Sequence, residues 1–497
     1  MNYRMIAFYV AHITVIEALV MLPPLGIAAA QNDWTVFWAF GITIGLLVVL
    51  SLLLFLLRPR IKAIFAREGF VVTTLSWVLI SLFGALPFYI SGAIPNYIDC
   101  FFETVSGFTT TGASILKDVE IMPDALLYWR SFTHWLGGMG VLVFLLAIMP
   151  AERGAGASLH LLRAESPGPD VGKLLPKIRQ GAMFLYLTYI ALSVINLTLL
   201  LIGGMPLLDS LCTMFGTAGT GGFSVKNDGL TSYSPYLQNV VTIFMALFGV
   251  NFSIFYLLFT RQFSKALHDQ ELRAYIAILL ISSAAIAVNI FPYYTDKGEA
   301  VRDAAFQVSS IMTTTGFATT DFNLWPEFSR TILMLLMIIG ASAGSTGGGI
   351  KVSRLLILLK SIRKELNRML HAREVRVIHF NDKPLDSPVV KGVNVFLGAY
   401  FLIAGASILL ISIDNMSTTT NLTAVLSCIG NIGPGLDQVG PMSNYSGFSN
   451  FSKLVLSADM LLGRLEIFPI LLLFSPSTWQ HRPNIHLSMV AEQFDDN

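Results

Sequence analysis

The sequence predicts an all-α integral membrane protein with four tandem units, each a spanning helix, a short pore helix with its loop, and a second spanning helix. The units surround a pseudo-fourfold pore and follow two amino-terminal transmembrane helices. Three observations predict this class. Of 497 residues, 54% are hydrophobic and only 13% charged, against about 45–50% and about 25% in an ordinary soluble chain. A mean hydropathy of +0.66 over the whole length would give a water-soluble fold more apolar surface than its core can hide, which excludes a soluble enzyme. Apolar stretches of spanning length recur from end to end, and four shorter ones lie among them.

The charge balance narrows the partners. A formal net charge of +1 lacks the basic excess of a domain that binds phosphate backbones, so nucleic acid is excluded and the lipid bilayer is the solvent. Cys100, Cys212 and Cys428 lie far apart without a CxxC or histidine-spaced partner, which implies neither a disulfide framework nor a zinc site and leaves them as packing residues. The amino terminus runs from Met1 to Arg4 directly into an apolar stretch without a small-residue cleavage site, so it reads as a first span and not a removed signal.

A window of about 19 residues finds the spans in order. They are 5–30 and 36–57, then 72–91, 126–149, 182–202, 237–259, 275–291, 331–359, 393–413 and 454–474. Segments 99–110, 209–219, 303–314 and 421–429 are too short to cross the hydrocarbon and read as re-entrant. The resulting organisation is an amino-terminal helix pair (1–68), pore units at 69–155, 176–262, 270–376 and 388–478, and a tail at 479–497.

Basic residues set the orientation. Arg58, Arg60, Lys62 and Arg67 follow the second span; Arg153, Arg163, Lys173, Lys177 and Arg179 follow the fourth; Arg261 and Lys265 follow the sixth. Lys351, Arg354, Lys360, Arg363, Lys364, Arg368, Arg373 and Arg376 follow the eighth. With these loops in the cytoplasm, both termini are inside and every re-entrant segment enters from outside.

Written one under another, the short segments are copies of one unit: DCFFETVSGFTTTGAS from Asp99, DSLCTMFGTAGTGGFS from Asp209, DAAFQVSSIMTTTGFAT from Asp303 and NLTAVLSCIGNIGPGL from Asn421. Each begins with an Asp or Asn expected to cap the helix and reaches a glycine: Gly112, Gly221, Gly316 or Gly433. Non-helical backbone at membrane depth is tolerated only where it is buried in protein or lines a water-filled path, so the four loops are expected to converge on one axis. A short helix entering from outside aims its carbonyl end, worth about half a negative charge, at the bilayer centre and favours a cation there. The candidate ligands are oxygens of Thr110, Thr111, Gly112, Thr220, Gly221, Thr314, Thr315, Gly316, Asn431, Ile432 and Gly433. A ring of oxygens without a carboxylate suits a monovalent cation better than Ca²⁺ or Mg²⁺. Asp99, Asp209 and Asp303 read as helix caps before cation ligands, and Glu103 as a source of negative potential outside. His134, Trp129 and Trp135 read as packing or interface residues.

The eighth span carries five glycines in the ten residues from Gly340 to Gly349, each costing about 1 kcal/mol in a helix. A phosphate-binding P-loop is excluded because Ile350 separates Gly349 from Lys351. A close helix-contact patch and a flexible gate beneath the filter remain, the gate carried by Gly344, Ser345, Thr346, Gly347, Gly348 and Gly349. Arg464 lies in an otherwise apolar span, where a charge costs about 2.5–3.5 kcal/mol to insert and must face the interior or water. It is either an electrostatic barrier in the path, forming the gate with the loop, or a lock paired with Glu466 or the loop carbonyls.

These residues resemble the Trk/Ktr/HKT superfamily of potassium transporters, in its bacterial TrkH-type branch, over nearly the whole chain. The shared features are the four pore-loop units, the extra helix pair, the Gly-rich interruption and the lone Arg464. The resemblance implies a single-glycine filter that takes potassium as substrate at the residues named above, with no cofactor in this chain. It also implies a homodimer in the bacterial inner membrane and a cytosolic NAD- or ATP/ADP-binding regulatory ring of the TrkA type. In plant relatives a serine at the first filter position goes with sodium permeation; Gly112 therefore implies potassium preference. Gly430-Asn431-Ile432-Gly433-Pro434 departs most from the Thr-rich pattern. The expected function is regulated potassium uptake through a conducting pore, with a potassium symporter coupled to protons or sodium as the alternative. An enzyme is not expected, since the spans hold no HExxH or paired aspartates.

Overall fold

The computed structural model describes residues 2–57, 66–138, 140, 178–371, 377–381 and 383–479. The distal part of the fourth span (139 and 141–149), the basic residues Arg58, Arg60, Lys62, Arg153, Arg163, Lys173, Lys177, Arg373 and Arg376, and the tail from 480 onward lie outside the described residues.

Helices α1 (Tyr3–Val20) and α2 (Leu22–Ala30) form the first apolar stretch, and α3 (Trp34–Phe55) the second. Asn2 and Asp33 cap α1 and α3 by accepting from Met5 and Val36 N–H, satisfying donors that lipid would leave orphaned. Trp38 and Leu52 on α3 are each 61% exposed; in water this face would be an aggregation site, and in a bilayer it meets acyl chains. The chain continues as α4 (Ala66–Gly84), α5 (Leu86–Ile90), the short α6 (Tyr97–Phe108) and α7 (Asp124–Gly138). Next come α8 (Ile178–Ile202), the short α9 (Leu207–Gly219), α10 (Pro235–Phe248) and α11 (Phe252–Phe259). After a turn of helix, α12 (Phe263–Leu267), come α13 (Gln270–Ile290), the short α14 (Lys297–Met312), α15 (Glu327–Ile339) and α16 (Val352–Leu370). The last set is α17 (Ser387–Ile411), the short α18 (Thr418–Gly430), α19 (Asn450–Arg464), α20 (Phe468–Phe474) and α21 (Pro476–Trp479). A two-residue hairpin pairs His379 with Pro384 and Phe380 with Lys383. Six helical stretches among the described residues are long and apolar enough to cross a membrane, and α10 with α11 makes a seventh bent by 90°. The protein is an all-helical, multi-pass membrane protein.

The four short helices are placed by a cyclic pattern of contacts. Each packs on the helix that follows it in its own unit (α6 on α7, α9 on α10, α14 on α15, α18 on α19) and on the corresponding helix of the preceding unit (α9 on α7, α14 on α10, α18 on α15). The circle closes where α19 meets α6. A belt of hydrogen bonds between the following loops repeats the circle. Asn227 Oδ1 accepts from Val119 N (2.8 Å), Ala318 O from Leu230 N (2.8 Å), Asn323 Oδ1 from Asp437 N (2.9 Å) and Ser114 O from Tyr445 N (2.8 Å).

The expected caps of the short helices are corrected. The helices start earlier, with Asn96, Asp296 and Ser417 as capping side chains and Pro206 before α9. Asp99, Asp209 and Asp303 lie within the helices and hold other elements: Asp99 pairs with Lys453 (2.6 Å), Asp209 accepts from Tyr233 Oη (2.7 Å), and Asp303 accepts from Tyr294 Oη and Thr319 Oγ1 (3.0 Å each). Each tie spans separate elements, which is why local sequence could not distinguish it from a cap.

Candidate functional site

The loop after each short helix has the same backbone. Thr110, Thr220, Thr314 and Asn431 occupy the left-handed region at φ +57°, +54°, +59° and +55°. Two residues on, Gly112, Gly222, Gly316 and Gly433 have φ of +82°, +75°, +86° and +102°, a conformation that penalises any residue with a Cβ. The second unit therefore corrects the sequence reading by one position. Gly222, and not Gly221, matches Gly112, while Gly221 corresponds to Thr111, Thr315 and Ile432. Two adjacent glycines follow Thr220, and spacing alone cannot choose between them.

Glycine is needed there for closeness as well as for φ. A Cβ on Gly112 would overlap the Gly221 carbonyl, one on Gly222 the Thr315 carbonyl, and one on Gly316 the Ile432 carbonyl; one on Gly433 would lie 2.8 Å from the Thr111 carbonyl. Each quarter thus abuts the next and the fourth returns to the first. Above the ring is a cavity of about 160 Å³ that touches Gly112, Gly222, Gly316 and Gly433.

Threonine hydroxyls hold the ring together. Thr109 Oγ1 meets Thr111 Oγ1 at 2.8 Å and Thr313 Oγ1 meets Thr315 Oγ1 at 2.7 Å, while Asn431 Nδ2 donates to Thr111 Oγ1 (3.0 Å) and to the Met460 carbonyl (2.9 Å). The departure in the fourth loop thus serves as a brace between the fourth quarter and the first. His134 fills the space behind the first two loops, its Nδ1 2.9 Å from Gly107 O and its ring 4.2 Å from the Phe223 ring. Trp129 Nε1 donates to Gly84 O (3.0 Å), and Trp135 Nε1 to Ser193 Oγ (3.2 Å). The three cysteines are buried and unbridged, one on each of α6, α9 and α18.

Glu103 also departs from expectation. It is buried and accepts from Arg130 Nε (2.6 Å), Ser114 Oγ (2.9 Å) and Ile115 N (2.9 Å). Arg130 also donates to Ser224 O (3.0 Å) and lies 3.5 Å over the Phe223 ring. The Glu103 charge is neutralised within this pair, so it ties the exits of the first two loops together and does not stand as free negative potential.

Below the ring, α15 ends at Ile339 and α16 starts at Val352. The intervening loop is pinned on all sides. Glu271 Oε1 at the start of α13 accepts from Ala343 N (2.6 Å) and Ser353 N (3.1 Å); Gly249 O accepts from Ser342 N (3.1 Å), and Gly344 O from Phe252 N (3.0 Å). Gly348 N donates to Thr314 Oγ1 (2.6 Å), joining loop and ring directly. Lys351 donates to the Gly347 carbonyl. Arg464 donates to Thr346 O (2.9 Å), Gly138 O (2.9 Å) and Gly137 O, and its guanidinium lies 5.8 Å from the Trp77 ring. The carbonyl partner expected for Arg464 is thus in place, while Glu466 pairs with Arg354 of α16.

Sequence reasoning located one interrupted helix here, and the structure has more. Helix α10 breaks at Gly249 to Asn251, and α19 ends before Glu466 and Ile467 at φ +55° and +68°. Glycines mark contact with the ring: a Cβ on Gly249 would lie 2.8 Å from Thr313 Cγ2, one on Gly348 3.0 Å from Asn431 Cβ, and one on Gly463 2.8 Å from Asn431 Oδ1. Gly249-Val250-Asn251 was a readable signal; Glu271 and the Glu466–Ile467 turn had none, because their partners are distant in sequence.

Four short helices whose loops close a ring lie inside an all-helical, multi-pass membrane fold, the class of an integral membrane protein. The chain matches the TrkH family, described as cation transport protein, over residues 39–481. It is 36% identical to the Trk system potassium uptake protein TrkH of Salmonella typhimurium over 84% of this chain and 86% of that one. It is 31% identical to TrkH of Halomonas elongata over 97% and 100%. The crystal structure of the potassium transporter TrkH from Vibrio parahaemolyticus superposes with a TM-score of 0.86 at 30% identity, covering 97% of this chain and all of that one. The chain belongs to the TrkH family of cation transport proteins, and is a transporter and not an enzyme.

Proposed function

We propose that this protein mediates potassium uptake by conducting the ion through the ring of four loops. The observation that carries the reading is the closed circle of left-handed Thr or Asn and close-contact glycine beneath one cavity. Thr110 to Gly112, Thr220 to Gly222, Thr314 to Gly316 and Asn431 to Gly433 form the filter. Hydroxyls brace the ring from behind, which leaves main-chain carbonyls to replace the hydration shell of the ion. The curated relatives are named as potassium uptake proteins, which agrees with this substrate.

The loop from Gly340 to Lys351, with Arg464, is the gate. Its ties reach the filter at Thr314, the α10 break and the α19 end, so a displacement of α16 is transmitted to the loop and moves the fixed charge with it. The basic loops face the cytoplasm with both termini, in a bacterial inner membrane. A homodimer and a nucleotide-binding ring of the TrkA type complete the assembly, the ring docking on the basic surface around α16.

Cation flux into liposomes holding the purified chain tests this. Potassium and rubidium should pass faster than sodium and follow only their own electrochemical gradient. Uphill rubidium movement driven by an imposed proton or sodium gradient would overturn uncoupled conduction. Arg464→Ala should raise basal flux several-fold; unchanged flux with normal folding would remove the arginine from the gate.

A further inference from the structure

The mechanism leaves the buried acid of the first helix unused. Glu17 lies near the middle of the apolar stretch Tyr3–Ala30, is 3% exposed, and neither carboxyl oxygen has a hydrogen-bond partner among the described residues. It lines a cavity of about 20 Å³ whose other walls include Ile16, Val20, Ile80, Phe108 and Leu136, with Tyr186 as the other polar liner. Gly84 opens this space: a Cβ there would lie 2.9 Å from both the Phe108 ring and Thr104 Cγ2 and 3.6 Å from Glu17 Oε1. Phe108 is the last residue of α6 and immediately precedes Thr109. The carboxyl group is therefore seated directly behind the first filter loop, between the amino-terminal helices and the first pore unit.

An unpaired carboxylate is too costly to keep ionised in such surroundings, so something must neutralise it. The candidates can be sorted by size and ligand count. A metal cation needs several oxygens around it, and the carboxyl group with one tyrosine cannot supply them. The volume suffices for about one water molecule. Among the described residues no basic side chain reaches it, and a proton is the remaining species.

Among the described residues, the other charged groups nearby are already engaged or remote. On α1, His12 Nδ1 contacts Phe8 O; on α6, Asp99 pairs with Lys453 and Glu103 with Arg130; on α7, His134 contacts Gly107 O. Arg67 and Glu68 stand at the far start of α4, Asp124 at the start of α7 accepts from Gln31, and Tyr189 on α8 donates to Trp135 O. Helices α2 and α3 carry no titratable side chain.

We propose that Glu17 is an intramembrane proton-binding site that opposes cation occupancy of the first filter quarter. Release of the proton places a negative charge behind Thr109 to Gly112 and favours a cation there; a cation in the filter favours release by the same coupling. The inference rests on reading the loop ring as the filter, and makes conduction fall as the membrane-embedded acid takes up its proton.

The test compares wild type and Glu17→Gln in liposomes. Rubidium flux through the wild type should rise several-fold with pH, and Glu17→Gln should give low, pH-independent flux. Superimposable pH profiles would overturn the proposal. Infrared spectroscopy of the detergent-purified protein reads the site without relying on flux: a protonated carboxyl band assigned by its loss in Glu17→Gln should titrate, with a lower midpoint in potassium than in an impermeant organic cation. A band that never titrates, or a midpoint indifferent to potassium, would also overturn it. Should Glu17→Gln fail to fold, Glu17→Asp, which keeps the acid, should shift both the band and the flux profile; an unshifted pair would count against the site. Absence of rubidium flux in wild type at every pH would instead refute the filter reading, leaving the infrared titration to judge the acid alone.

Discussion

At the scale of single residues, the two neighbouring glycines of the second loop make opposite predictions. A methyl group on Gly222 meets the Thr315 carbonyl, which is backbone and cannot move aside; on Gly221 it meets the His134 ring. Gly222→Ala should therefore reduce cation flux or potassium preference at least about tenfold, equivalent to about 1.4 kcal/mol, and no side-chain change should rescue it. Gly221→Ala should be recovered by His134→Ala, as measured by rubidium flux. The Arg130–Glu103 pair is another residue-scale device. Glu103→Gln leaves the buried guanidinium without its counter-charge and should cost about 3–5 kcal/mol, lowering the thermal midpoint in detergent. Glu103→Gln with Arg130→Met should recover part of that loss, because the uncompensated charge is gone.

At the scale of elements, the interrupted helices matter most. The loop between α15 and α16 has little internal structure, and its position is set by contacts from α13, α10, α19 and the third loop of the ring. Glu271 supplies two charge-assisted bonds to it, each worth about 1.5–3 kcal/mol. Glu271→Gln should speed hydrogen exchange at Ala343 and Ser353 and raise basal cation flux. Unchanged exchange in that variant would show the loop to be held by its other contacts. How well sequence reported these elements depended on distance along the chain. The Gly340 to Gly349 break was legible because five glycines in ten residues are incompatible with stable helix. The turn at Glu466 and Ile467 was not, because neither residue type favours positive φ and the conformation is sustained by partners such as Arg354, remote in sequence.

At the scale of the whole molecule, the circle must close between the last unit and the first, which are joined by no covalent link. Lys453 with Asp99 (side chains 6% and 21% exposed) and Asn96 with Asn450 make part of that seam. Lys453→Met should lower the thermal midpoint by an amount equivalent to about 2 kcal/mol or more, whereas Arg330→Met, which removes a surface pair with an 82% exposed Glu327, should cost under about 1 kcal/mol. Equal losses would show that the seam is held by apolar contact alone.

What the amino-acid sequence determined by itself was the solvent, the all-helical multi-pass class and the helix break at Gly340 to Gly349. These follow from local properties: twenty apolar residues suit a bilayer, ten do not, and a glycine marks a backbone that turns where a side chain cannot go. Tertiary structure alone decided that Gly222 and not Gly221 completes the ring, that the aspartates of the short helices bind neighbouring loops, that Glu103 is neutralised by Arg130, and that Glu17 stands behind the first loop. Each of these depends on which distant segments meet, and charge, capping and closeness are properties of a pair whose second member the local sequence does not name.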